Sequence, residues 1–203
     1  HEYWAAPTTI NYPADDWISH RLIYTHAARI IVIDSHTGEY VTVQQAFGVK
    51  AEPSIYYGEE ISDDVYVHVR GFEEIGNASY TGEPDYLLSG WQRMLWFLVK
   101  EGQVGFAFSP PQDEMMMLHN RDVQRRVQDI LIGGLTTDRA AYLVTDGNRI
   151  YYLVQVYSNY PIHSGFSGSN YLRFFGIVLV DIEDGRMYPY VIAKPDGFLM
   201  DFY

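Results

Sequence analysis

Three segments of the chain repeat one plan: a β-branched apolar run, a turn bearing Asp and Gly, then a second apolar run. Ile30–Asp34 leads through Ser35-His36-Thr37-Gly38 to Tyr40–Val43. Tyr142–Thr145 leads through Asp146-Gly147-Asn148 to Ile150–Val156, and Ile177–Asp181 through Glu183-Asp184-Gly185 to Met187–Ile192. Branched residues suit the pleated, half-buried surface of a sheet. Glycine reaches the positive φ that a tight hairpin turn needs, and Asp or Asn side chains bond the turn's own backbone. Each segment therefore predicts an antiparallel hairpin. The units are too short and irregular to make a repeat protein.

Helical spacing occurs in two places. Trp91, Leu95, Leu98 and Val99 recur on one face, and Met94, Trp96 and Phe97 widen it. This predicts a helix from a Ser89 cap to Lys100, buried nearly all round. Asn120 or Arg121 opens the second helix, with Val123, Val127, Ile130 and Leu131 as its stripe and Gly133-Gly134 as its stop. Arg121, Arg125 and Arg126 fall on or beside its solvent face. Shorter strands are expected at Ile55–Tyr57, Val65–Arg70 and Gly105–Phe108. Phe72–Leu88 and Tyr157–Asn170 read as long connections, and long ordered loops are uncommon unless functional. The sum is an α+β fold: antiparallel-rich sheets built from hairpins, with two to four packed helices. Residues 1–203 are expected to form a single domain, with a break near 72–88 if there are two lobes.

The chain has 203 residues, 47% of them hydrophobic, which is enough for a sizeable core. Its 18 Tyr, 10 Phe and 4 Trp fit half-buried strands and wet grooves alike. Net charge is -12, which repels phosphate backbones and anionic surfaces and argues against a nucleic-acid partner. With no cysteine there is neither disulfide nor thiolate chemistry. No segment approaches the roughly 18 to 20 apolar residues that span a bilayer, so any membrane anchor is expected outside these residues.

A series of short phrases runs through the chain in fixed order. They are His20-Arg-Leu-Ile-Tyr-Thr-His26, Pro53-Ser-Ile-Tyr-Tyr-Gly58, Tyr80-Thr-Gly82, Asn120-Arg-Asp122 and Ala140-Ala-Tyr-Leu-Val144. Asp146-Gly147, Tyr160-Pro161, Asn170-Tyr171 and Val180-Asp-Ile-Glu-Asp-Gly185 follow. From about Trp17 to Ile192 this order resembles uncharacterised protein family 0182, large polytopic membrane proteins of prokaryotes. The resemblance implies part of the large extracytoplasmic region that follows a block of transmembrane helices. The implied partners are the protein's own transmembrane region, another protein or a cell-surface glycan. The family supplies no activity to transfer. Ala27-Ala28 stands where the family usually has Gly after its Tyr-Thr-His, and Leu131-Ile-Gly-Gly-Leu135 where relatives often read Ala-Pro-Phe-Leu. Asn170-Tyr-Leu-Arg-Phe-Phe-Gly-Ile177 keeps Arg173 but loses the polar and basic positions after it. These departures mark a divergent member and are compatible with an archaeal source.

Residues expected at a ligand site are His26, Tyr56, Tyr57, Tyr157, Tyr160, His163, Asn170 and Arg173, with Tyr24, Trp91 and Tyr152 as further stacking faces in a groove between the two long connections. No metal site is assigned. His20 and His26 would lie about 20 Å apart on a strand and cannot share an ion. Met115-Met116-Met117 with His119 offers soft ligands suited to cuprous copper, against the plainer reading of gap-filling at a helix edge. Asp34, Asp146, Asp181, Glu183 and Asp184 could hold calcium only if several turns converge, and turn chemistry explains each acid singly. Gly165-Phe-Ser-Gly-Ser169 fails the spacing of a serine elbow. Asn77-Ala78-Ser79 fits a glycosylation acceptor. Asp15-Asp16, Glu59-Glu60, Asp63-Asp64 and Glu73-Glu74 are adjacent acid pairs, of the kind that usually form solvated faces. A binding or assembly module is therefore preferred, the alternative being a hydrolase of cell-surface polymers that uses an acid pair or a histidine.

Overall fold

The computed structural model describes residues 2–8, 10, 12, 15–27, 29–108, 114–161 and 170–192, with no side chain described at 77, 160, 161, 170 and 171. Among the described residues ten strands form three antiparallel sheets. The first joins β1 (Tyr3–Pro7), β2 (Ile30–Asp34) and β3 (Tyr40–Val41) in that order. The second has β6 (Met115–Leu118) between β4 (Val65–Val67) and β5 (Tyr86–Leu88). The third runs β7 (Leu135–Thr145), β8 (Ile150–Pro161), β9 (Asn170–Asp181) and β10 (Met187–Val191) as a meander. The helices are α1 (Val43–Phe47), α2 (Gly90–Leu95), α3 (Val104–Phe108) and α4 (Val123–Ile130), with single π turns at Ser19–Ile23 and Trp96–Lys100 and a 3-10 turn at Ile75–Asn77. The α+β reading holds.

All three predicted hairpins form, at β2–β3, β7–β8 and β9–β10, and one device closes each. Asp34 Oδ1 accepts the N–H groups of His36 and Thr37 at 2.8 and 3.1 Å. Asp146 Oδ1 does the same for Asn148 and Arg149, both at 2.8 Å, and Asp181 Oδ1 for Glu183 and Asp184 at 2.8 and 3.3 Å. A carboxylate two and three residues upstream supplies the acceptor that the bent backbone cannot give itself.

The β4–β6–β5 sheet is the middle layer. Side chains on a strand alternate between faces. Val65, Val67 and Leu118 accordingly join the main core with the other two sheets and α4. Tyr66, Met115 and Met117 join a second cluster with Leu22, Phe97 and Ala107. Trp17, Tyr66, Phe97 and Phe106 meet there, with ring centroids 5.0–5.9 Å apart.

Several expectations are corrected. The helix after Ser89 forms but is not buried all round. Phe97 and Arg93 turn inward, while Trp91 is 68% and Val99 81% exposed, because the helix has the aromatic cluster on one side and, among the described residues, no layer on the other. Gly105–Phe108 is helical, not extended: the N–H groups of Phe106 and Ala107 both return to the Gln103 carbonyl. A short apolar run cannot distinguish the two states by itself. The methionines lie on a strand rather than a helix edge. Ile55–Tyr57 forms only an isolated bridge from Ile55 to Ala27. The Val65–Arg70 strand stops at Val67, where His68 takes φ 57°. Of the Tyr157–Asn170 span, Tyr157–Pro161 belongs to β8 and Asn170 to β9, pairing through Pro161↔Asn170, and 162–169 lie outside the described residues. His20 lies within the π turn Ser19–Ile23 and His26 follows it, so no strand joins them.

Candidate functional site

Arg121 organises one buried polar region. The helix N-cap is Asp122, whose Oδ1 accepts the Arg125 N–H at 2.8 Å. Arg121 therefore precedes α4, and its side chain turns into the protein, 1% exposed, instead of lying on the solvent face. Its Nε donates to the Tyr56 carbonyl at 2.7 Å, one terminal nitrogen to the Asp63 carbonyl at 3.1 Å, and the other to the Thr25 carbonyl. Burial pulls the guanidinium down to about 10, still charged at neutral pH, and the Asp63 and Asp64 carboxylates are among the groups favouring that charge. Beside it the Glu74 carboxylate accepts the Tyr56 hydroxyl at 2.7 Å and the Thr25 hydroxyl at 2.5 Å, with His26 Nδ1 3.9 Å away. Burial lowers the His26 pKa.

A second knot adjoins the first. Asp85 accepts the Tyr57 hydroxyl at 2.9 Å, the His119 N–H at 2.9 Å and Arg126 at 2.7 Å. The Arg126 guanidinium stacks 4.7 Å over the Tyr57 ring. Gly185, at φ 68°, also lies so close that a Cβ there would sit 2.5 Å from this ring. The Tyr56 and Tyr57 N–H groups both donate to the Ile182 carbonyl, at 2.9 and 3.0 Å. Phrases far apart in the chain, holding Thr25, Tyr57, Arg121 and Gly185, thus meet in one place. They build a scaffold, because nearly every polar group in it has a partner inside the fold.

A groove along β1 has the opposite character. At one end is a cleft of about 590 Å³ whose polar wall is Glu59, Glu60, Asp63, Asp122 and Gln124, with Tyr12 and apolar residues completing it. At the other is a cleft of about 320 Å³ lined by Tyr3, Phe47, Tyr142, Leu143, Tyr152 and again Glu59. Ala6, Pro7 and Glu59 line both, so Glu59 stands at their junction. The register of β7 on β8 breaks between Thr137 and Ala141, and the Ala141 N–H donates to Glu59 Oε1 at 3.3 Å. Gln124 Nε2 reaches the same oxygen at 3.4 Å. Both bonds are long, and among the described residues no basic side chain lies within ion-pair distance of Glu59. Burial raises its pKa, with Asp122 and Glu60 adding to the shift. Tyr152 is 1% exposed, yet its hydroxyl makes no hydrogen bond of normal geometry. Its pKa is raised, chiefly by burial and then by the Glu59 charge, while the Glu59 backbone N–H, near the hydroxyl but short of hydrogen-bond geometry, works the other way.

The residues expected at a ligand site are not gathered in this groove. His26, Tyr56 and Tyr57 are buried in the scaffold, which leaves them no ring face for a ligand. Tyr157 is half-buried, its hydroxyl on Gln155 at 2.6 Å and its ring edge-on to Phe174. Arg173 is exposed on β9, opposite Ser158. His163 and the Gly165–Ser169 stretch lie outside the described residues, as do the side chains of Tyr160, Asn170 and Asn77. Of the added aromatics Trp91 is exposed and Tyr152 lies in the groove. The copper reading fails on geometry: Met115 and Met117 face one core cluster and Met116 the other. His119 Nδ1 is instead 2.8 Å from Asp64, a histidine–carboxylate pair that lines neither cleft. The calcium reading fails because each Asp serves its own turn, and Arg149 pairs with Asp181 and Asp184 at 2.6 and 2.8 Å. Among the described residues no three His, Asp or Glu side chains form a group that could hold a metal. Sequence reasoning missed Glu59, whose only visible signal was the acid pair Glu59-Glu60.

A family model described as Uncharacterised protein family (UPF0182) matches residues 6–202. A UPF0182 protein of Clostridium novyi (strain NT) is 26% identical over 225 residues, covering 97% of this chain and 25% of its own length. One from Clostridium botulinum (strain Hall) is 26% identical over 211 residues, covering 92% and 23%, and one from Clostridium kluyveri 27% over 209 residues, covering 92% and 23%. The chain spans about a quarter of the length of these curated relatives. No solved structure matches it. No helix among the described residues is long and apolar enough to cross a membrane. With the match running from the first strand almost to the last residue, the chain belongs to the uncharacterised family UPF0182.

Proposed function

We propose that these residues form an extracytoplasmic binding module of a membrane protein whose transmembrane helices lie in the rest of the polypeptide. The observation that carries the binding role is the groove along β1. It is the place where a half-buried carboxyl and a buried hydroxyl keep hydrogen-bonding capacity that the fold does not use. Buried polar groups are normally satisfied, and an exception in a cleft leaves bonding capacity that a ligand can take up. The membrane location rests on the family resemblance. A thermal-shift scan of the purified chain against calcium, copper, a chelator and cell-wall oligosaccharides tests binding, since a ligand of the folded state must raise Tm. A shift abolished by Glu59→Gln supports the groove. Saturating shifts that survive this change and Tyr152→Phe place the site elsewhere.

A second reading, assembly, has its own observation. Trp91, Leu95, Val99, Val104 and Phe108 are exposed together on α2, the π turn and α3. Glu101, the acid among them, is turned inward to Trp17 and Tyr66 at 2.8 and 2.9 Å. In this reading the face packs on the protein's own membrane region or on a second copy, and a wild-type chain that self-associates while Trp91→Ser with Val99→Ser stays monomeric would support the second copy.

A further inference from the structure

We propose that the groove along β1 binds an organic ammonium carried on an apolar stem, with the charge at Glu59 and the stem among Tyr3, Phe47, Tyr142 and Leu143. The proposal rests on the binding-module reading and names the ligand class for the same groove.

The argument starts from what the cleft already satisfies. Asp122 already accepts a short bond on each oxygen, from the Glu60 N–H and the Arg125 N–H, both at 2.8 Å. Asp63 faces Arg21 at 3.5 Å and His20 at 3.7 Å. Glu59 has only its two long amide contacts, so it can accept a further donor, and a cation answers its charge better than a neutral group. Asp122, Glu60 and Asp63 line the adjoining cleft and set a negative potential over the same volume. An anion is excluded on that ground.

The neighbouring cleft decides the rest of the ligand. It is walled by aromatic and aliphatic side chains, with Glu59 and Tyr152 as its polar members. A strongly hydrated bare metal ion gains nothing from such walls, whereas an alkyl or aryl stem does. Aromatic faces of Tyr3, Phe47 and Tyr142 also favour a cation carried next to them. Tyr152 supplies the independent observation: the residue lines the cleft, and its buried hydroxyl, beside the Glu59 backbone, has no hydrogen bond of normal geometry. Its oxygen can accept an N–H from the same ammonium that Glu59 neutralises.

Titration calorimetry on the purified chain tests this with phenethylamine, its N-acetyl derivative, 3-phenylpropionate and spermidine. The expected result is that phenethylamine binds, that acetylation or reversal of charge weakens binding at least tenfold, and that spermidine, lacking the apolar body, binds more weakly. Glu59→Gln should cost at least tenfold and Tyr152→Phe about three- to tenfold, the range of one charged and one neutral hydrogen bond. A capped Phe-Lys dipeptide amide offers the same ammonium from a lysine side chain, and the tighter of the two probes identifies the source. Equal binding of amine and N-acetyl derivative, or no effect of Glu59→Gln, overturns the proposal. If no amine binds while an oligosaccharide raises Tm through Glu59, the ligand class falls and the binding-module reading stands.

Discussion

The Arg121 region and the β1 groove both place ionisable groups out of water, and they treat them in opposite ways. Around Arg121 the guanidinium meets three carbonyls, and Glu74 meets two hydroxyls. Around Glu59 the carboxyl has two stretched bonds and Tyr152 none. A satisfied buried network rigidifies and specifies a fold, while a half-satisfied one costs stability. The contrast separates residues that hold this domain together from residues left available to a ligand.

The largest test is Arg121→Ala. Removing the guanidinium strands the carbonyls of Thr25, Tyr56 and Asp63 and opens a void, so urea unfolding should show a loss of about 3 to 5 kcal/mol. A loss under about 1 kcal/mol would mean the region is not closed, and the comparison would collapse.

Next come two glycines. Gly185 and Gly147 both sit in hairpin turns at positive φ, 68° and 91°. A Cβ at Gly147 meets open space, whereas one at Gly185 meets the Tyr57 ring. Gly147→Ala should cost about 1 to 2 kcal/mol from backbone strain alone. Gly185→Ala should cost a further 1 to 3 kcal/mol, roughly, from overpacking. Equal losses in thermal melts would show that the Tyr57 stack yields easily.

The two regions also answer pH with opposite signs. His26, in the satisfied region, has its pKa lowered from the ordinary 6.5 by burial. The unfolded chain binds that proton more readily, so its presence costs stability as pH falls below about 6.5. Glu59 has its pKa raised from 4.5. Here the folded chain holds the proton more tightly, and the cost grows as pH rises from about 4.5 through the raised value, then stays constant. Denaturant melts across this range should show Glu59→Gln gaining on wild type as pH rises and His26→Asn gaining as it falls. Parallel profiles for all three proteins would remove the electrostatic half of the comparison.

The scaffold was more legible in sequence than the groove, for a physical reason. Hairpins are local: Asp34, Asp146 and Asp181 bond backbone within three residues, so spacing alone announces them. Arg121 was visible as part of a phrase but misassigned to solvent, because moving the cap from Asn120 or Arg121 to Asp122 takes it off the helix. The outward turn of Trp91 was hidden because Arg93 takes an inward position that apolar periodicity would not give it. Glu59 was the least legible. Its setting needs β1, the acidic stretch after Gly58, α4 and a register break in β7 to meet, and none of these contacts is local.

The smallest expected effect is the sharpest for the groove. Tyr152→Phe removes a hydroxyl that makes no hydrogen bond of normal geometry and keeps the ring that fills the core. A buried hydroxyl without a bond costs free energy, so the variant should match wild type or gain up to about 1 kcal/mol in urea unfolding. Tyr57→Phe is the counterpart, because its hydroxyl donates to Asp85 at 2.9 Å, and it should lose about 1 kcal/mol or more. Two tyrosines of equal burial would then respond with opposite signs to the loss of one oxygen. If Tyr152→Phe instead loses as much as Tyr57→Phe, its hydroxyl is bonded within the fold, most directly to the neighbouring Glu59 backbone, and the groove holds one free polar group fewer than a stem-borne ammonium needs.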